Sequence, residues 1–237
     1  MSPAPLIERT AFSAGMRAVL PLCLSIAAYG VVWGVLARQA GLTVAEAALM
    51  SGLVFAGASQ FVALDLWSTT ALPVGAIVFA ALIVNLRFML MTATARPLFA
   101  GWPVWQATLA QWLVSDENWA LTMAEVNRGR GSASFLIGAG FAIYLTWLAS
   151  TVSGTLVGSA IDDPTRFGFD FAFTATFLAL LFGSWRGAGD LVPWIVAAVV
   201  AVVCARLLPG QWYVIAGGLL GSLAGALLET RRARRVA

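Results

Sequence analysis

The chain contains no lysine and no histidine, and all 14 of its basic residues are arginine. Without lysine there is no Schiff-base chemistry and no phosphate-cradling lysine of the Walker type. Without histidine the usual general base near neutral pH is missing, as is the commonest nitrogen ligand for metals. Any proton handled near neutral pH must sit on Asp or Glu, retuned by burial. Charge is scarce as well, at 11% of 237 residues. That is too little to keep a soluble domain of this size in solution. Cys23 and Cys204 are the two cysteines, each inside an apolar run. They form neither a disulfide framework nor a metal-ligand spacing. No metal, no cofactor and no catalytic residue is expected.

What the chain has is hydrophobicity. Its residues are 60% hydrophobic, and its mean hydropathy is +0.88. Apolar runs of roughly 17–25 residues recur from end to end, each able to span a bilayer core of about 30 Å. Eight segments separate, at about 14–37, 46–66, 72–95, 104–125, 134–158, 168–184, 190–207 and 211–228. Gly, Pro, Asp and Arg fill the breaks. Trp67, Trp102, Trp105, Trp185 and Trp212 stand at segment ends, as an interfacial aromatic belt requires. The first run, Met16 to Ala37, exceeds a signal-peptide core of about 7–15 residues and reads as a retained transmembrane helix. There is no long polar stretch, so residues 1–237 read as one integral membrane domain. Its repeat halves are about 14–125 and 134–228. The net charge of +3 does not suggest nucleic acid. Arg231-Arg-Ala-Arg-Arg235 reads as a cytoplasmic anchor for lipid phosphates.

One pattern occurs twice. Phe55-Ala-Gly-Ala-Ser-Gln-Phe-Val-Ala-Leu64 and Phe171-Ala-Phe-Thr-Ala-Thr-Phe-Leu-Ala-Leu180 share the form F-A-x-x-x-x-F-[V/L]-A-L. A lipid-facing helix has no use for Gly57, Ser59, Gln60, Thr174 and Thr176. Matching polar segments in two halves are what a transporter with an internal repeat shows at its substrate site. The chain therefore reads as all-α, a polytopic transmembrane bundle of six to eight crossings, with segments 46–66 and 168–184 as broken or re-entrant candidates. With eight crossings the halves are parallel. With both of those segments re-entrant, six remain and the halves are inverted. The arginines split nine inside to four outside either way, with Arg87 in the membrane. The split places both termini in the cytoplasm without choosing between the two.

Three more places carry polar groups. On a continuous helix over 104–125, Thr108, Gln111, Ser115, Asn118, Thr122 and Glu125 share one face. Asp116 and Glu117 fall to either side of it, or the helix is distorted there. An acid at mid-membrane depth costs at least about 2.5 kcal/mol, so both are proton-carrying candidates. Asn85-Leu-Arg87 lies in segment 72–95. In low dielectric a guanidinium needs a partner, whether Asp116, Glu117, a substrate carboxylate or backbone carbonyls; near the helix end it would instead snorkel to the headgroups. Asp170 opens the second repeated segment as a helix cap or a titrating group. Asp65 reads as interfacial. Gly217, Gly221 and Gly225 recur at intervals of four, a close-packing spacing.

Four stretches together carry a family likeness. They are Ser51-Gly-Leu-Val-Phe-Ala-Gly-Ala-Ser-Gln-Phe61, Asn85-Leu-Arg-Phe-Met-Leu90, Ser115-Asp-Glu-Asn-Trp-Ala-Leu121 and Gly168-Phe-Asp-Phe-Ala172. In this order they resemble the AzlC, or azaleucine-resistance, family, the large subunit of branched-chain amino-acid exporters. One departure is Phe88, where the family often has a histidine after Asn-Leu-Arg. The resemblance implies export of valine, leucine, isoleucine or methionine across a bacterial inner membrane. It also implies a small hydrophobic AzlD-type partner. The expected substrate-binding set is Gly57, Ser59, Gln60, Asn85, Arg87, Thr174 and Thr176; the expected proton-coupling set is Asp116, Glu117 and Asp170. A passive channel or scaffold subunit is one other reading. A membrane-embedded enzyme using Asp116 and Glu117 as acid and base is another.

Overall fold

A computed structural model describes residues 7–67, 72–160, 178, 181–182, 185, 187–207 and 212–236. Among these residues every regular element is a helix, as the composition requires of a membrane bundle. The elements are α1 (Arg9–Gln39), α2 (Val44–Leu53), α3 (Gly57–Asp65), α4 (Val74–Ala95) and a 3-10 turn (Arg96–Phe99). They continue with α5 (Val104–Gln111), α6 (Asp116–Asn127), α7 (Ala133–Gly158), a second 3-10 turn (Ala188–Asp190), α8 (Leu191–Leu207) and α9 (Trp212–Val236). Four of the described helices are long and apolar enough to cross a bilayer: α1, α4 with its 3-10 turn, α7, and α8 with the turn before it. The chain divides into two compact units, Met1–Pro73 with Val84–Ala172, and Val74–Ile83 with Phe173–Ala237.

The first unit is built on α1 and α7. Gly15 faces the Phe135 carbonyl, Gly30 the Ser150 side chain, Gly34 the Thr151 carbonyl and Gly158 the backbone of Val35. Gly138 and Gly154 return the contact onto Phe12 and Val31. Numbers rise together on both helices, so α1 and α7 run parallel. Two helices that begin the halves of an inverted repeat would run antiparallel. Glycine allows the approach because no Cβ stands between the backbones.

Among the described residues, two of the apolar segments are not single helices. Segment 46–66 breaks at Val54, Phe55 and Ala56 into α2 and α3. This is the irregularity expected there. The chain also reverses at the break. Gln60 Nε2 donates to Ser51 Oγ at 3.2 Å, whereas nine residues of continuous helix would rise about 13.5 Å. Segment 104–125 breaks as well, between Gln111 and Asp116, so the single polar face expected of it does not exist. Thr108 is exposed, Asn118 and Thr122 are fully buried, and Ser115 is the N-cap of α6.

This second segment is also a hairpin. It starts soon after Phe99 and ends shortly before Ala133, and these two residues share one apolar cluster. Its tip reaches Gly140, where a Cβ would strike the Leu113 carbonyl. The reason for the break is local. Ser115 and Asn118 form a reciprocal capping box, and Asp116 and Glu117 sit in the first turn against the positive end of the helix. Glu125 closes the following loop. Hydrogen bonds from Arg130 and Arg128 hold its carboxyl well below the usual range, at about 2.

In the second unit α8 and α9 pack together. Gly217 and Gly221 lie on Ala197, Ala201 and the Pro193 carbonyl, and Gly225 lies on the Pro193 ring. The spacing of four is thus used within the fold.

Candidate functional site

The two hairpins enter the α1–α7 frame from opposite ends, and their tips meet at Tyr144. That residue lies about 16 Å along α7 from its first residue, at 1.5 Å per residue. Tyr144 Oη donates to the Gly52 carbonyl at 3.2 Å. Its ring centroid is 5.4 Å from that of Phe55 on the first tip and 5.3 Å from that of Trp112 on the second. Phe55 and Trp112 are themselves 6.4 Å apart. Non-helical backbone at membrane depth is tolerated only where it is buried in protein or lines a cavity. A cavity of about 310 Å³ lies there, walled by both tips and by the face of α4 that carries Asn85, Phe88 and Thr92. Its size falls at the small end of ligand pockets, roughly 300–1,000 Å³.

Of the expected residues, the structure brings several to this place. Asn85 lines the cavity; its Nδ2 donates to Ser59 Oγ at 3.2 Å. Its Oδ1 is buried and has no hydrogen-bond partner among the described residues. Ser59 Oγ in turn donates to the Ala56 carbonyl at 2.9 Å, fixing the start of α3. Arg87 pairs with Asp116 at 3.0 Å, so the open choice of partner resolves to that carboxylate. The pair is partly open, with side chains 36% and 45% exposed. Arg87 Nε is buried without an acceptor among the described residues. Glu117 makes no side-chain hydrogen bond among the described residues.

Gly57 and Gln60 have a different setting. Gly57 is wedged where a Cβ would press on Trp147 and Tyr29. Gln60 is fully buried. One end of its amide donates to Ser51, and the other accepts from Trp147 Nε1 at 3.0 Å. It therefore ties α2, α3 and α7 together. Gln60→Ala strands two buried polar partners, each costing about 1–3 kcal/mol. The expected result is a clear drop in melting temperature in detergent; an unchanged melt would show the bridge to be dispensable. Asp170, Thr174 and Thr176 lie outside the described residues, as does most of the second repeated segment.

Sequence reading misses the aromatic trio Phe55, Trp112 and Tyr144, because aromatic residues are common throughout an apolar chain. It also misses Tyr29, whose buried hydroxyl has no partner among the described residues. Tyr29 stacks on Phe61 of α3 with centroids 4.6 Å apart. No group of metal-ligating residues occurs among the described residues.

The AzlC protein family profile matches residues 21–161, which hold both hairpins and most of the α1–α7 frame. An Archaeoglobus fulgidus protein named "Uncharacterized membrane protein" is 30% identical over 74% of this chain and 77% of its own length. The Escherichia coli "Inner membrane protein YgaZ" is 24% identical over 96% of this chain and 94% of its own. The Bacillus subtilis "Branched-chain amino acid transport protein AzlC" is 25% identical over 75% of this chain and 71% of its own. No solved structure shows a significant match. With a profile that covers more than half of its length, the chain belongs to the AzlC family.

Proposed function

We propose that this protein is the large subunit of a secondary transporter that exports branched-chain or other hydrophobic amino acids across the bacterial cytoplasmic membrane. The observation that carries this reading is the pair of opposed, broken hairpins around one cavity, beside an ion pair. Leu53, Val54, Phe55, Phe88, Trp112 and Val114 form apolar walls suited to a hydrophobic side chain. The polar groups suit the other end of an amino acid. Arg87 Nε and the first amides of α3, which has no side-chain cap, are donors for a carboxylate. Asn85 Oδ1 and the Asp116 carboxylate are acceptors for an ammonium group. Asp116, with Glu117 beside it, is the proton carrier in this reading. Thr174, Thr176 and Asp170 keep the roles that the repeated pattern suggests for them.

The arginines support an orientation. Arg9, Arg17, Arg96, Arg128 and Arg130 gather at the end where α1 begins, and Arg38 stands at the other end of that helix. By the positive-inside rule the end with the larger group is cytoplasmic. A small hydrophobic partner of the AzlD type completes the proposal. The name of the Bacillus subtilis relative supports the substrate class.

The test is efflux of radiolabelled valine, leucine and methionine from preloaded cells, with and without a co-expressed AzlD-type protein. Saturable efflux that needs the partner and responds to external pH is expected. Absence of efflux of all three, with the protein present in the membrane, would remove the substrate assignment.

A further inference from the structure

A second cavity, larger than the central one, lies between the C-terminal half of α4, the 3-10 turn after it and α5. Its volume is about 940 Å³, and its wall includes Met89, Thr92, Arg96, Trp102, Ala107 and Gln111. Thr92 and Gln111 line the central cavity as well. The two spaces therefore share a wall made of these two side chains. We propose that the larger cavity is the vestibule through which an amino-acid carboxylate enters from the N-terminal end of α1, with Arg96 gathering it and Gln111 handing it on to the central cavity. This rests on the reading of the central cavity as a substrate site.

The chemistry of the lining does not suit lipid. A groove filled by acyl chains has no use for an arginine and a glutamine along one wall. The polar groups at the two ends are also uncommitted. Arg96 is exposed and makes no ion pair among the described residues, and the Gln111 side-chain amide makes no hydrogen bond among them. Thr92 differs, since its hydroxyl is turned back onto the Phe88 carbonyl. Gln111 is thus the side chain at the junction that is able to engage a solute. Finally, the mouth lies at the arginine-rich end. A positive potential there raises the local concentration of a carboxylate ligand and its rate of entry.

The test uses the full chain with its partner, in a background of Cys23→Ala and Cys204→Ala. Single cysteines are placed at Ala93 and Thr108 in the vestibule and at Gln111 at the junction. The probe is a membrane-impermeant cationic methanethiosulfonate, applied to inverted and to right-side-out vesicles. All three positions should label from inverted vesicles. Leucine in excess should slow labelling at Gln111→Cys by about threefold or more, as occupancy by mass action requires. Full labelling after detergent solubilisation shows that each variant is present. No labelling from inverted vesicles, or labelling of the vestibule positions with none at Gln111→Cys, would overturn the route. A second measurement is kinetic. Arg96→Gln should raise the internal leucine concentration for half-maximal efflux severalfold at unchanged maximal rate, and Arg96→Lys should restore it. An unchanged half-saturation would remove Arg96 from the route. Labelling needs no transport. Labelling that succeeds without leucine protection, together with absent efflux, would point to a wrong substrate for the central cavity; absent labelling with normal efflux would point to a wrong route.

Discussion

Asp116→Asn is expected to lower export by a factor of about 100 or more, the scale of a lost hydrogen bond to a charged group together with the group it leaves unpaired. A measurable amount of protein should stay in the membrane. The cause lies with Arg87. A guanidinium keeps its charge in any protein environment, and a charge at membrane depth costs at least about 2.5 kcal/mol. Asp116 offsets that charge at 3.0 Å. Removing the carboxylate leaves the guanidinium uncompensated, so some loss of abundance follows whatever the pair does. The double variant Arg87→Gln with Asp116→Asn separates the two roles. It removes both charges, so abundance should recover toward wild type. If the pair only stabilises the fold, export recovers with it. If Arg87 holds a carboxylate and Asp116 carries an ammonium or a proton, abundance recovers and export does not. The second outcome is the expected one. Wild-type export by the double variant would end the case for this pair as substrate and proton ligands.

Much of this arrangement is legible in the chain. Segment 46–66 carries small and polar residues where a lipid-facing helix would not, and it is broken where that pattern lies. Asn85 and Arg87 stand out as polar groups inside an apolar run, and both lie at the cavity or beside it. The second break is legible only in part. Ser115-Asp116-Glu117-Asn118 is a helix start, with an N-cap, two acids in the first turn and a reciprocal partner at the third position. Set inside a run of apolar residues, it passes instead for the interior of one helix. Hydropathy reports how much apolar length there is, not whether the chain turns back halfway through it. Gln60 shows the opposite limit. A buried amide in a repeated motif suggests a ligand, but two partners brought from 9 and 87 residues away absorb both of its ends. Pairing at such range is set by tertiary packing, which one sequence does not display.

Gly34→Ala should be among the most destructive single changes in the chain, although it adds one methyl group. A Cβ at Gly34 would strike the Thr151 carbonyl and press on the Thr155 amide, and both are backbone. Backbone has no rotamer to change, so relief requires α1 and α7 to part. Parting them loosens the frame that holds Tyr144, and with it both hairpin tips. Overpacking a well-packed site costs typically 1–3 kcal/mol where side chains can shift; here about 3 kcal/mol or more is expected. Gly154→Ala meets the Val31 carbonyl from the other helix and should behave alike. Gly218→Ala is the control. It lies in α9, where a Cβ meets nothing within 4 Å, and alanine favours helix over glycine by about 1 kcal/mol. Thermal melts in detergent, read with export in cells, make the comparison. Gly34→Ala and Gly154→Ala should lose folded protein and export together, while Gly218→Ala keeps both. Melts at wild-type temperature for the first two would mean that the α1–α7 seam is wider than these contacts require. The meeting of the two hairpin tips would then need another support, because among the described residues of the first unit α1 and α7 are the two long helices that pack together at the depth where the tips meet.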